Sequence, residues 1–167
     1  MDECAASRGL LRVTLEGMKR DRLPFDDVRR RYSWVSNAAE GVKFLANHAR
    51  EAQDLLREGM SSGDMSQRFY CAAAAGFAEH SALMHTAAPI LIEHLRDNDI
   101  GDDGIWAMRA LYGFGPDVLL IVRRWIDSED DQQRDAIVFL IERLELHAAG
   151  ADRSMATRSQ YLTNSVV

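Results

Sequence analysis

A pattern of two amphipathic helices, a short acidic turn and a second pair constrains this chain more than any other feature. Thr86 and Pro89 open a segment whose apolar positions Ile90, Leu91 and Leu95 recur at helical spacing, and Asp97-Asn98-Asp99 closes it. A second segment carries Ile105, Trp106, Ala110 and Leu111 and stops at Gly113-Phe114-Gly115. Pro116 then starts the pattern again with Leu119, Leu120 and Trp125, up to Asp127. Asp97 and Asp127 lie 30 residues apart, and Ala107/Ile137, Ala110/Leu140 and Leu111/Ile141 keep the same interval. A unit of this kind cannot bury its apolar face alone, so it is built to stack on a neighbour. No alternating strand pattern of useful length interrupts the helical one, and the expected fold class is all-α.

A proline early in the first helix, leucines packing it, an aspartate in the turn and a second helix rich in small residues resemble the HEAT-repeat family of α-solenoids. The resemblance covers 86–147 and extends back to Gln67, where FYCAAAAGFAEH (69–80) looks like the second helix of an earlier unit, offset by about 35. It implies a short right-handed solenoid whose second helices, here 101–113 and 130–147, line the concave side. Before Gly63 the chain reads as helix without repeat: 8–22, a segment from Pro24 through Val35, and one from Ala38 to Arg57. That last segment sets Val42, Leu45, Ala49, Ala52 and Leu56 on one face and ends at Gly59. The expected organisation is a single domain with N-terminal helices over 1–62 that cap the repeats or self-associate, HEAT-like repeats over 63–147, and a polar tail over 148–167.

Charge divides the chain. Residues 1–50 hold ten Lys/Arg against seven Asp/Glu, while residues 51–167 hold ten against nineteen, which together make the net −6. The excess acid gathers in the inter-helix turns, at Asp97, Asp99, Asp102 and Asp103 and again at Asp127, Glu129, Asp130 and Asp131. If the repeats stack, both clusters fall on one edge and form an acidic ridge that attracts a basic protein and repels nucleic acid. Solvated caps that favour helix N-termini explain the same carboxylates without a partner.

Motifs for catalysis are missing. There is no Gly-x-Ser-x-Gly and no phosphate-binding Gly-rich loop followed by Lys-Ser/Thr. Cys4 and Cys71 have no metal spacing, and Cys71 reads as a structural thiol in a buried helix. Glu79-His80 and Glu93-His94 invite comparison with the HEAT-repeat hydroxylases that hold a di-iron centre, but the order is reversed, and adjacent helical residues diverge by about 100°. Asp97-Asn98-Asp99-Ile100-Gly101-Asp102 superficially matches a calcium loop but lacks its sixth-position glycine and has Met108 in place of the bidentate glutamate. Arg29-Arg30-Arg31 beside Tyr32 and Trp34 follows Asp26 and Asp27 by one turn and reads as exposed intrahelical pairs. Some HEAT-like proteins are DNA glycosylases that depend on a basic concave face, and the acidic repeat half argues against that activity. No cofactor and no metal are expected.

The residues singled out for partner binding are therefore the two acidic clusters, together with Trp106 and Arg109 from one second helix and Arg134 from the next. Trp106 suits either a core position or an aromatic anchor ringed by charge, the composition enriched at interface hot spots. The expected function is a non-catalytic protein-binding module, an acidic immunity protein or antitoxin that masks a basic toxin or enzyme. Two other uses stay open: an adaptor or chaperone that takes a helical segment into its concave groove, and an enzyme on a HEAT-like fold, metal-dependent or acting on nucleic acid. The partner is expected to be a protein and basic, with neither nucleic acid nor membrane bound and a homodimer allowed. No run approaches the roughly 18 apolar residues of a membrane span, and the acidic start has too short an apolar run for a signal peptide, so the expected location is cytoplasmic.

Overall fold

Two clusters of small residues, Ala72 to Gly76 and Ala107, Ala110 and Gly113, decide how the helices meet. A computed structural model describes residues 41–61, 64–96 and 103–150 of the chain. Among these the helices are α1 (41–47), α2 (Gln53–Ser61), α3 (Met65–Phe77), α4 (Ser81–Glu93), α5 (Asp103–Gly113), α6 (Leu119–Val122) and α7 (Asp131–Ala148). Short 3-10 turns extend α4 over His94–Arg96 and flank α6 over Gly115–Val118 and Arg123–Trp125. The described residues are all-helical, with no strand. The segments expected over 8–22 and 24–35, the arginine run, Cys4, the acidic stretch 97–102 and the tail beyond Gly150 lie outside the described residues.

Local chemistry starts and stops these helices. Asp64 and Asp130 precede α3 and α7 in extended conformation, and each carboxylate accepts the N–H of the residue three positions on, Gln67 and Gln133, at 3.0 Å. That contact satisfies one of the orphan donors at a helix N-terminus. At the other end of α3, Glu79 N–H donates to Gly76 O (2.9 Å) and His80 N–H to Ala75 O (3.0 Å), the paired bonds of a Schellman ending.

α3 lies against α2, α4 and α5, and α5 in turn against α7. At the α3–α5 crossing there is no room for side chains. A Cβ added to Gly76 would run into the Ala110 carbonyl and come within 2.8 Å of its Cα, and one added to Gly113 would strike the Gly76 carbonyl. The aromatic ring of Trp106 packs beside the crossing, edge-on to Tyr70 and Phe77 with centroids 6.2 and 5.9 Å away. After Gly113 the chain turns through 113° into the segment Gly115–Trp125, a corner that Gly115 enables at φ 72°. Six pairs of positions 30 apart, Ala88/Val118, Leu91/Ile121, Ile92/Val122, Ala107/Ile137, Ala110/Leu140 and Leu111/Ile141, are buried in both members, whereas Ala87/Asp117 and Ile90/Leu120 pair a buried residue with an exposed one, so Leu120 does not pack where the 30-residue spacing puts it.

Four expected boundaries are corrected. The helix expected to open at Thr86 and Pro89 begins at Ser81, because Leu83 and Met84 are buried and carry the apolar face upstream; Pro89 sits inside it. The segment expected to run over 69–80 starts at Met65 and ends at Phe77. The helix expected from Ala38 to Arg57 is two: α1 and α2 are separated by a turn at 48–52, and Gly59 is buried within α2 rather than ending it. His48 marks the break, its Nδ1 hydrogen-bonded to Phe44 O at 2.9 Å and its N–H shared between the Phe44 and Leu45 carbonyls. The five apolar positions named for that face are nonetheless all buried. The helix expected to start at Pro116 and run to Asp127 is also shorter, since only Leu119–Val122 is α-helical, between 3-10 turns.

The crossing yields a test whose sign is informative. Intrinsic propensity favours Ala over Gly in a helix by about 1 kcal/mol, whereas forcing a methyl into a filled contact costs about 1–3 kcal/mol or more. Gly76→Ala and Gly113→Ala are each expected to lower the denaturant midpoint of unfolding. A raised midpoint in either would show that the two backbones do not approach so closely.

Candidate functional site

The turn between Trp125 and α7 is held by more polar contacts than any other described connection. Ser128 Oγ donates to Gln133 Oε1 at 2.6 Å, and Arg134 Nη1 donates to Ser128 O at 3.2 Å. Gln133 is 5% exposed, and its Nε2 donates to the carbonyl of Ile92 at 2.9 Å, across 41 residues of sequence. That carbonyl belongs to the last turn of α4, where the helix cannot supply every acceptor with a partner. Gln133 thus ties the start of α7 to the end of α4, and α7 also packs on the His94–Arg96 turn. The chain enters the acidic stretch 97–103 from that same turn.

The carboxylates named from the sequence divide by role. Asp130 is spent on the α7 N-cap, and Asp131 pairs with Arg134 three residues on. Asp127 and Glu129 are exposed on the outside of the turn. Asp103 is the first residue of α5. Asp97, Asp99 and Asp102 fall outside the described residues. Arg134 is engaged at the turn, through Ser128 O and Asp131, and Trp106 is half-buried against α3, so the cleft expected from Trp106, Arg109 and Arg134 has lost two of its groups to structural contacts. Arg109 is half-buried and also engaged. Trp125 is partly buried against the core.

One feature had no signal in the sequence. An open groove of about 440 Å³ runs between residues 46–51 and 78–82 and is lined by His48, Arg50, Glu51, Glu79, His80 and Ser81 among others. Glu79 occupies the left-handed position of the Schellman ending, φ 54°, where glycine is the usual residue. The Nε2 atom of His80 is buried without a hydrogen-bond partner. Among the described residues no group of three or more His, Cys, Asp and Glu side chains gathers where it could hold a metal ion. The second Glu-His dipeptide points apart, with Glu93 exposed and the His94 ring 4.4 Å from that of Phe69. Cys71 is fully buried in α3, and burial pushes its thiol up, away from the thiolate a nucleophile needs.

No family model, curated protein or solved structure matches this chain. Among the described residues no single helix is long and apolar enough to cross a membrane.

Two substitutions check this geometry. Gln133→Ala removes the hydrogen bonds it makes with the Ile92 carbonyl and the Ser128 hydroxyl, and the expected loss is about 1–3 kcal/mol of unfolding free energy; a loss no larger than that of an exposed Gln132→Ala control would contradict the tie. Glu79→Gly relieves the left-handed strain of a side chain, worth roughly 1–2 kcal/mol before the chain-entropy cost of glycine is subtracted. The thermal midpoint is therefore expected to rise, and a fall would mean that the Glu79 side chain stabilises the fold.

Proposed function

We propose that this protein is a non-catalytic binding module of HEAT-like architecture that masks a basic protein partner, in the manner of an immunity protein or antitoxin. Support for the architecture is the set of six residue pairs 30 apart that are buried in both members, together with the small-residue helix at the centre. The observation that carries the functional reading is the Gln133–Ile92 hydrogen bond. It holds the 127–131 turn beside the end of α4, from which the chain leads on into the acidic stretch that contains Asp97, Asp99, Asp102 and Asp103, and a partner that spans both segments would meet carboxylates from each. Asp127 and Glu129 point outward with no structural task of their own. The surplus acid of residues 51–167 supplies the longer-range field that steers a basic surface toward this edge. The groove-binding alternative has less to work with, because Trp106, its expected anchor, is packed between Tyr70 and Phe77.

Association driven by such an edge is limited by electrostatic steering, which salt screens over about 10 Å at 0.1 M ionic strength. With the partner captured from native lysate, the double variant Asp127→Asn, Glu129→Gln is expected to associate several-fold more slowly at low salt, while dissociation changes little. Raising the salt should bring the wild type toward the variant. An association rate indifferent both to the substitutions and to salt would exclude the acidic edge as the binding surface.

A further inference from the structure

The outward side of α7 carries a pattern that fits a second copy of the same helix. Val138, Phe139 and Leu146 are 40, 47 and 45% exposed, three large apolar residues on one helix among only seven so exposed in the described chain. The buried face of α7 is Gln133, Ile137, Leu140, Ile141 and Leu144, and at about 100° per residue Asp135, Phe139 and Leu146 point away from it. Phe139 is the midpoint of a charge-reversed stripe: Asp135 stands one turn before it and Arg143 one turn after, about 6 Å away in each direction along the axis. Arg143 lies over the Phe139 ring, its guanidinium carbon 5.2 Å from the centroid, so the cation and the ring form one surface. Asp135 is exposed.

We infer that the outer face of α7 is a self-association surface on which two copies pack antiparallel about a two-fold axis through Phe139, with Asp135 of each against Arg143 of the other. The pattern selects the occupant. An antiparallel copy sets each acid beside the opposite base and Phe139 on Phe139, the self-complementarity a two-fold interface requires. A parallel copy would set Asp135 on Asp135 and Arg143 on Arg143. The surface is separate from the Asp127–Glu129 edge, and the inference stands whether or not that edge binds a basic protein.

Sedimentation velocity on the full chain tests it, with circular dichroism confirming that each variant is folded. The wild type is expected to show a concentration-dependent monomer–dimer equilibrium. Asp135→Arg alone, and Arg143→Asp alone, should each raise the dimer dissociation constant at least tenfold by placing like charges together. The double swap Asp135→Arg, Arg143→Asp should return it to within about threefold of wild type, since both cross-pairs re-form with reversed sign. Mixing the two single variants provides a second reading, because a heterodimer of the two satisfies both pairs and should form where neither variant associates alone. A wild type that stays monomeric up to high concentration would overturn the inference, as would a double swap as weak as the single substitutions.

Discussion

Everything in the described fold follows from the backbone contact between α3 and α5. Gly76 faces Ala110 and Gly113 with no side chain between them, so the two helices are as close as their main chains permit. Such a contact leaves no room for a side chain at Gly76 or Gly113. The Trp106 ring, set edge-on against Tyr70 and Phe77, closes the side of the crossing. With α5 fixed, the corner at Gly113–Gly115 sends the next segment off at 113°, and the Leu119–Val122 helix then lies against α4. α7 comes back on α5 and buries Ile137, Leu140 and Leu144 completely.

The turn before α7 depends on a buried side-chain amide. A buried amide is costly unless both its donor and its acceptor are used, and Gln133 uses both, accepting from Ser128 and donating to Ile92. The consequence is a loop whose shape is set by hydrogen bonds while its remaining carboxylates face water. Asp130 and Asp131 serve the helix end, which leaves Asp127 and Glu129 as the charges available to a partner. Preorganised charges of this kind act mainly on the rate and selectivity of encounter, because exposed ion pairs contribute little to affinity once salt is present.

Much of this was legible in the residues, for reasons that differ from helix to helix. The pairs Ala107/Ile137, Ala110/Leu140 and Leu111/Ile141 were legible as core because each falls on the apolar stripe of an amphipathic helix, and all six residues are buried. The face Val42, Leu45, Ala49, Ala52 and Leu56 survived even though the helix carrying it is broken at 48–52, since a turn that preserves the register of an apolar stripe leaves no trace in its spacing. Pro89 misled because a proline is most easily accommodated in the first turn of a helix, yet here the buried Leu83 and Met84 extend the helix past that point. The acidic turn was visible as composition, but nothing in composition separates Asp130, which caps, from Asp127, which does not. The left-handed Glu79 and the groove it borders were invisible, because glycine is the usual sign of such a position and this chain has glutamate there. Gln133 was unremarkable in the sequence, as its value lies in a carbonyl 41 residues away.

The central proposal is that the 127–131 turn and the acidic stretch 97–103 are met by one partner. Hydrogen–deuterium exchange on the chain, free and saturated with its captured partner, tests that most directly. Peptides spanning 93–104 and 126–134 are expected to slow together on binding, with the α1–α2 turn and the outer face of α7 unchanged. Protection confined to one of the two turns, or centred on the groove at 46–51 and 78–82, would contradict it.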